Sequence, residues 1–162
     1  MPFVIRDFRP DDFDTLWRID QECFPPGIAY SRQELTVYVR QRGAFTLVAV
    51  DAVGGTIAGF IVAYGGLAGH IITIDVIAAA RHAGVGSELL RAAEDRLRAG
   101  GSKAAELETA VDNAAALSFY KRHGYSVIRT WPRYYSNGVD ALVLRKNLLK
   151  SESPRSKLGA TS

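Results

Sequence analysis

The chain is 162 residues long, enough for one domain with a buried core, and its 48% hydrophobic and 23% charged residues are typical of a globular protein. Its net charge is +3, but the basic residues are scattered and form no stripe interleaved with aromatic residues, so no direct nucleic-acid partner is expected. No uninterrupted apolar run reaches the roughly 18 residues of a membrane span, and the N-terminus lacks the layout of a secretory signal, so we expect a cytoplasmic protein without a membrane partner. One cysteine and no His/Asp/Glu set at metal-binding spacing argue against a disulfide and a metal site.

The first half of the chain predicts a strand, two helices and a series of hairpins. Apolar residues at near-helical spacing predict a helix over residues 11–24, which the Pro-Pro-Gly at 25–27 ends. Ser31 followed by Glu34 is the pattern of a capping box and predicts the start of a second helix. Three β-rich runs follow, and the glycine-rich turns between them are typical of antiparallel hairpins.

The whole chain predicts elements in the order β-α-α-β-β-β-α-β-α-β-β. Early hairpins with a β-α-β crossover in the middle indicate an α/β (α+β) architecture: a mixed, mostly antiparallel twisted sheet of about seven strands flanked by about four helices. We expect one domain over residues 1–149 and a polar, disordered tail over residues 150–162. The predicted strands cover residues 3–8, 44–51, 56–65, 70–78, 103–111, 125–131 and 139–148, and the predicted helices cover 11–24, 31–42, 87–101 and 113–124.

The stretch ARHAGVGSELL, residues 80–90, places two glycines directly before a predicted helix. A helix N-terminus carries unpaired N–H groups and partial positive charge, and glycines allow an anion to approach the backbone closely. The stretch is not a dinucleotide fingerprint, because Leu89 stands where the third glycine would be, and it is not a P-loop, because no Lys-Ser/Thr follows. By itself it fits either an ordinary strand-to-helix turn or a phosphate cradle.

The wider segment IDVIAAARHAGVGSELL resembles the acetyl-CoA-binding motif of the GNAT superfamily of N-acetyltransferases, and the order of elements from about residue 3 to 148 is similar to that fold. The resemblance implies a GNAT-like sheet and acetyl-CoA as cofactor, with CoA as product. It implies that backbone groups of β-strand residues 74–76 pair with the pantetheine arm and that N–H groups of the loop hold the pyrophosphate. The cofactor-binding residues implied here are Ile74, Asp75, Val76, Arg81, His82, Ala83, Gly84, Val85, Gly86 and Ser87.

A second segment, LETAVDNAAALSFYKRHGY, resembles a motif of the RimI-like, N-terminal protein acetyltransferase branch of that superfamily. The resemblance implies that Glu108 acts as general base, that Tyr120 acts as general acid, and that Asn113 binds the cofactor. Taken singly, these residues also fit a surface carboxylate, a core aromatic residue and a helix N-cap. Their common register, downstream of the glycine motif, favours catalysis, because a strand-end carboxylate and a tyrosine in the next helix can face one cleft.

Two loops rich in aromatic and proline residues are the predicted acceptor side. In RimI-like enzymes the equivalent loops clamp the peptide N-terminus, so CFPPGIAYS and WPRYYSNG are expected to do so here; a hydrophobic lid without specificity is the alternative. The substrate-binding residues implied are Phe24, Pro25, Gly27, Tyr134 and Tyr135.

Three other residues receive no chemical role from the sequence. Cys23 lies among apolar residues of the first predicted helix and is expected to be buried, and a covalent acetyl-cysteine route is not expected. His70, at the start of the strand before the glycine motif, could point into the cleft, but it is expected at a turn. Asp75 alternates with apolar neighbours, so its side chain is expected on the opposite face of the strand from theirs.

The function that these patterns predict is transfer of acetyl from acetyl-CoA to a protein N-terminal α-amine, directly, within a ternary complex; a ribosomal protein is one candidate acceptor. A small-molecule amine is the nearest alternative, and acidic residues in the acceptor loops would favour it, but the two loops contain none. A CoA-sensing domain without turnover is a third reading, against which the pair Glu108 and Tyr120 argues. The sequence is compatible with a monomer or a homodimer.

Overall fold

The structure is a computed structural model that describes residues 2–149. The predicted tail at 150–162 lies outside the described residues. Short 3-10 turns at Pro10–Asp12 and Ala78–Ala80 precede the first and third helices. The strands are β1 (Phe3–Asp7), β2 (Ala44–Asp51), β3 (Ile57–Tyr64), β4 (Ala68–Val76), β5 (Ala104–Ala110), β6 (Ser126–Trp131) and β7 (Ala141–Asn147), and the helices are α1 (Phe13–Cys23), α2 (Arg32–Arg40), α3 (Val85–Ala99) and α4 (Ala114–Arg122).

The seven strands form one sheet in the order β1-β2-β3-β4-β5-β7-β6. Every neighbouring pair is antiparallel except β4 and β5, which the crossover through α3 makes parallel. The predicted mixed sheet of seven strands with four helices is therefore confirmed.

The parallel pairing at the centre of the sheet is short. It joins only Ala68–His70 to Ala104–Glu106, although β4 continues to Val76 and β5 continues to Ala110 in contact with β7. Beyond His70 the two strands therefore separate, and a wedge opens between their C-terminal halves. This wedge is the feature of the fold that positions the candidate site.

The core lies in two layers, one on each face of the sheet. Helices α3 and α4 cover one face, where Leu89 and Leu97 of α3 are fully or almost fully buried with Ile61 of β3. Helices α1 and α2 cover the other face, where Leu16 and Phe60 are fully buried. Burial of each such side chain contributes about 1.5–3 kcal/mol to stability, and together they fix the strands whose ends form the wedge.

The start of α2 is set by the predicted capping box. The Ser31 hydroxyl accepts a hydrogen bond from the Glu34 N–H at 3.1 Å, and the Glu34 carboxylate accepts one from the Ser31 N–H at 2.9 Å. Such a cap is worth about 1 kcal/mol. It fixes the point at which the first predicted acceptor loop ends.

Among residues 2–149, no helix combines the length and the apolar character needed to cross a membrane. The same part of the chain holds no group of three or more His, Cys, Asp or Glu side chains arranged to bind a metal ion.

Candidate active site

The wedge between β4 and β5 forms a cleft of about 880 Å³. Its walls come from the two strands, the N-terminal end of α3, one side of α4, and both predicted acceptor loops. Asp75, Ala83 and Gly27 do not line it, although the sequence placed them in the site. The predicted site residues that do line it are Phe24, Pro25, Ile74, Val76, Arg81, His82, Gly84, Val85, Gly86, Ser87, Glu108, Asn113, Tyr120, Tyr134 and Tyr135.

Strand β4 presents a free main-chain edge to this cleft. The Ile77 N–H donates to the Ala58 carbonyl of the neighbouring strand at 2.9 Å. Because N–H groups of successive strand residues point to opposite sides, those of Val76 and Ile74 point away from β3, into the wedge. The Val76 carbonyl, on this same side, accepts hydrogen bonds from Arg81 Nε at 3.2 Å and Cys23 Sγ at 3.5 Å. An extended ligand can pair with such an edge as an added strand.

Asp75 lies behind this edge rather than on it. Its side chain is completely buried and points to the face opposite the cleft-lining side chains of Ile74 and Val76, as the alternation predicts. Cys23 was expected to be buried, but it is only half-buried because it lines the cleft at the end of α1. Burial still raises the pKa of its thiol to about 11. The thiol is therefore protonated and weakly nucleophilic at neutral pH, in agreement with the expected absence of a covalent cysteine route.

The loop before α3 has the backbone of an anion cradle. Gly84, the N-cap of α3, has a φ of 85°, a left-handed conformation that favours glycine, and a Cβ built there would meet nothing within 4 Å. His82 also has a positive φ, of 67°. Within the described chain, the N–H groups of Val85, Gly86 and Ser87 donate to no protein acceptor. The open space and the free donors fit the pyrophosphate of acetyl-CoA.

Glu108 lies at the far end of β5 and is held by a histidine that the sequence placed at a turn. His70 Nε2 is 2.9 Å from Glu108 Oε1, and His70 Nδ1 is 2.7 Å from the Tyr64 hydroxyl. The expectation for His70 was wrong because the hairpin turn ends earlier and β4 begins at Ala68. Its two ring nitrogens thus link the Glu108 carboxylate to the Tyr64 hydroxyl and fix the orientation of the carboxylate.

Tyr134 supplies a second donor to the same carboxylate oxygen. Its hydroxyl donates to Glu108 Oε1 at 3.4 Å, and burial, reinforced by the Glu108 charge, raises the pKa of Tyr134 to about 12. Tyr134 therefore keeps its proton and remains a donor. In the described part of the chain, Glu108 Oε2 accepts no hydrogen bond, so it is the oxygen free to take a proton in the cleft.

Tyr120 reaches the cleft from α4. Its ring packs edge-on against Phe119 and Tyr125, so it is a core aromatic residue as well as a lining residue. Burial raises the pKa of the Tyr120 hydroxyl well above its usual range. The group is therefore protonated at neutral pH and can donate a hydrogen bond or a proton within the cleft.

Asn113 begins α4 as a cap. Its side-chain oxygen accepts from the Ala116 N–H at 3.1 Å, and the residue also lines the cleft. Capping and ligand contact are thus compatible at this position. The cap fixes the first turn of the helix that carries Tyr120.

The two predicted acceptor loops touch one another and form a single wall. The Gly27 carbonyl accepts from the Ser136 hydroxyl at 2.9 Å. Gly27 has a φ of 91°, and a Cβ built there would lie 2.8 Å from the Asn137 Cβ. Gly27 therefore contributes close packing between the loops.

Replacing Gly27 with alanine is expected to separate the two loops. The positive φ and the contact with Asn137 should destabilise the fold by about 1–3 kcal/mol. The KM for the acceptor should rise while acetyl-CoA affinity stays unchanged, measured by steady-state kinetics and calorimetry. Gly138→Ala is the control, because Gly138 has a φ of 84° and open space around its Cβ position. An equal rise of KM in Gly138→Ala would contradict a role for the loop contact.

Sequence reasoning did not single out Tyr64, gave His70 no role, and included Tyr30 only as part of the first acceptor loop. Tyr64 and His70 are directly opposite in the β3–β4 hairpin, so counting outward from its glycine-rich turn could have paired them. Tyr30 lines the cleft and its hydroxyl donates to the Ile72 carbonyl at 3.4 Å. No local pattern signals the contact of the Tyr30 hydroxyl, because its partner Ile72 lies 42 residues away in sequence.

Comparison with known proteins identifies the family. Residues 13–125 match the model of the acetyltransferase (GNAT) family. N-alpha-acetyltransferase 30 of Schizosaccharomyces pombe is 35% identical over 116 residues, which cover 69% of this chain and 77% of that protein.

Solved structures agree with this match. Ard1 from Thermoplasma volcanium superposes with a TM-score of 0.83 at 27% identity, covering 93% of this chain and all of that one. The NatC complex bound to Gag peptide and CoA contains a chain with a TM-score of 0.78 at 26% identity, covering 92% of this chain and 100% of that chain. The predicted family, fold and cofactor are confirmed: the chain belongs to the GNAT family of acetyltransferases and is an N-acetyltransferase that uses acetyl-CoA.

Proposed function

We propose that this enzyme acetylates the N-terminal α-amine of a protein or peptide by direct transfer in a ternary complex. The observation that carries the proposal is the position of Glu108, which faces the cleft between the free edge of β4 and the paired acceptor loops. The edge of β4 that can bind the cofactor, the Glu108 carboxylate and the acceptor loops thus face the same cleft. The relatives named N-alpha-acetyltransferase, and the similarity to a chain of a complex bound to both a peptide and CoA, support the same conclusion.

Glu108 is the proposed general base. An α-amine has a pKa of about 7.7–8.0 and must lose a proton before it attacks a carbonyl. Glu108 Oε2 can accept that proton directly or through a water, while His70 and Tyr134 hold Oε1. The carboxylate is thereby fixed in orientation without losing its acceptor capacity toward the cleft.

The cofactor edge and Tyr120 complete the proposed mechanism. Acetyl-CoA supplies the acetyl thioester. The Val76 N–H, which points into the wedge, can donate a hydrogen bond to the thioester carbonyl. Tyr120 can protonate the departing thiolate, and its raised pKa ensures that the proton is present.

Replacing Tyr120 with phenylalanine is expected to lower kcat about 100-fold and leave acetyl-CoA affinity within a few-fold of wild type, because only the proton donor is lost. The measurement is CoA release together with calorimetric binding. Tyr125→Phe is the control: Tyr125 is buried nearby, but its hydroxyl donates to Glu94 at 2.8 Å. This control should lower thermal stability and spare kcat. A Tyr120→Phe enzyme with unchanged kcat would remove Tyr120 from the mechanism.

The acceptor wall favours a peptide over a small cationic amine. Phe24, Pro25, Tyr134 and Tyr135 give it apolar area with hydroxyls suited to peptide backbone. Two carboxylates line the cleft, Glu108 and Asp112, and neither belongs to the acceptor loops. A ribosomal protein is one acceptor that this proposal includes.

The test is CoA release with acetyl-CoA and three classes of acceptor: peptides with free N-termini, N-terminally blocked peptides containing lysine, and small amines. Release with free α-amines alone is the expected result. CoA release only with small amines would show that the acceptor is a small amine and not a peptide. Tight acetyl-CoA binding without CoA release in the presence of any acceptor would favour a CoA-sensing domain.

A further inference from the structure

Two carboxyl groups are completely buried between α1 and β4, behind the free cofactor edge. Asp20 Oδ2 accepts from the Tyr30 N–H at 2.7 Å, and Asp75 Oδ1 accepts from the Thr73 hydroxyl at 2.5 Å. The other oxygens, Asp20 Oδ1 and Asp75 Oδ2, are both buried and have no separate partner among the described residues. Helix α1 packs on β4, and each carboxyl group shifts the pKa of the other.

Two ionised carboxylates side by side in a buried site would raise the free energy of the folded protein. Like charges in a buried site repel strongly, and each charge also loses its hydration. A single proton between Asp20 and Asp75 removes one charge and satisfies both remaining oxygens with one hydrogen bond. Catalytic carboxylate dyads share a proton in the same way.

We propose that Asp20 and Asp75 share one proton, carried by Asp75, and that this pair is a positioning device that joins the acceptor loop to the cofactor strand. The identification of the loop as the acceptor side rests on the proposed function. The pair itself does not line the cleft, so it acts through the groups that it holds.

The hydrogen-bond partners decide which residue carries the charge. Asp20 accepts from the Tyr30 backbone N–H, a donor that cannot rotate away, whereas the Thr73 hydroxyl that meets Asp75 can turn. Burial raises the pKa of Asp20 and lifts that of Asp75 well above its usual range, which agrees with a proton on Asp75. The exposed Glu34 also opposes the Asp20 charge, but at the surface, where solvent screens it.

The pair connects groups that both substrates need. Asp20 and its neighbour Gln21 hold the Tyr30 backbone from both sides, since the Gln21 amide donates to the Tyr30 carbonyl at 2.6 Å. On the other side, Asp75 directly precedes Val76, the last residue of the cofactor edge. The path from Thr73 through Asp75 and Asp20 to Tyr30 thus ties β4 to the end of the acceptor loop.

Three variants test the pair. Asp75→Asn replaces the proton by an amide that can still donate to Asp20 and accept from Thr73. Asp75→Leu removes both bonds and leaves Asp20 ionised without its donor. Asp20→Asn forces any remaining charge onto Asp75. We expect the peptide KM to rise about tenfold in Asp75→Leu and Asp20→Asn, with kcat and acetyl-CoA affinity changed much less, and Asp75→Asn to restore most of the loss.

Two readouts on the free enzyme do not depend on any acceptor. Infrared spectroscopy at neutral pH should show the carbonyl band of a buried protonated carboxyl in wild type, absent in Asp75→Asn. Hydrogen exchange of the Tyr30 amide should accelerate about tenfold in Asp75→Leu and stay near wild type in Asp75→Asn. If no peptide is acetylated, the proposed function is wrong, but these two readouts still show whether Asp20 and Asp75 share a proton and hold Tyr30.

The proposal is overturned if wild type lacks the protonated band, or if Asp75→Asn is as impaired as Asp75→Leu. Should Asp75→Leu fail to fold, the infrared band and the contrast between Asp75→Asn and Asp20→Asn decide the question. Equal KM values for those two variants would then show that the position of the proton is irrelevant.

Discussion

Replacing Glu108 with glutamine is expected to lower kcat by about 10²–10⁴-fold, the range for loss of a general base, without weakening acetyl-CoA binding. Glutamine keeps the size of the side chain, and its oxygen can still accept from His70 and Tyr134 in place of Glu108 Oε1. Its amide nitrogen, however, cannot accept a proton where Oε2 stands. The loss should therefore fall on the chemical step, as measured by CoA release at saturating acceptor and by calorimetry with acetyl-CoA.

Glu106→Gln is the matched control for this variant. Glu106 lies two residues earlier on β5 and forms an ion pair with Arg145 at the partly exposed sheet surface. Exposed pairs of this kind contribute about 0–1 kcal/mol, so the control should change kcat by less than about threefold. Comparable losses in the two variants would mean that β5, rather than the Glu108 carboxylate, had been disturbed, and full activity in Glu108→Gln would refute its role as base.

Much of the fold could be predicted because local chemistry determined it. The Ser31–Glu34 pair set a helix start within one residue of the observed one, and the glycine-rich turns marked the hairpins correctly. The short parallel contact between β4 and β5 could not be predicted. Its length depends on how α3 and the later strands pack, and no residue within β4 signals where the two strands separate.

The candidate site likewise contains residues that a local motif predicts and residues that it does not. Glu108 and Tyr120 belong to one continuous motif, so their register was visible in the sequence. His70 is 38 residues from Glu108, and Asp20 is on a different element from Asp75. Such pairs arise only when separate elements pack together. An aspartate between apolar strand residues indicates that a hydrogen-bond partner lies nearby in the fold, but the sequence does not show which residue is that partner.

Replacing Gly84 with aspartate is expected to weaken acetyl-CoA binding at least about 100-fold. The cradle before α3 offers free N–H groups and an open space at Gly84, where a Cβ would meet nothing within 4 Å. A carboxylate in that space would face the pyrophosphate. Two unit charges 4 Å apart repel by about 4 kcal/mol at an effective dielectric constant of 20, and about 2.8 kcal/mol already corresponds to a hundredfold change.

Gly84→Asn separates charge from shape in this experiment. Asparagine has the size of aspartate and tolerates the positive φ about as well, so its effect on acetyl-CoA affinity measures backbone strain and crowding alone. Gly55→Asp adds the same charge at another glycine with a positive φ, of 73°, and open surroundings, in the β2–β3 turn.

If the loop is an anion cradle, Gly84→Asp should bind far more weakly than Gly84→Asn, the difference should shrink at high salt, and Gly55→Asp should bind normally. Equal losses in both Gly84 variants would instead indicate that the glycine serves the turn and that its open space is not where the phosphates lie.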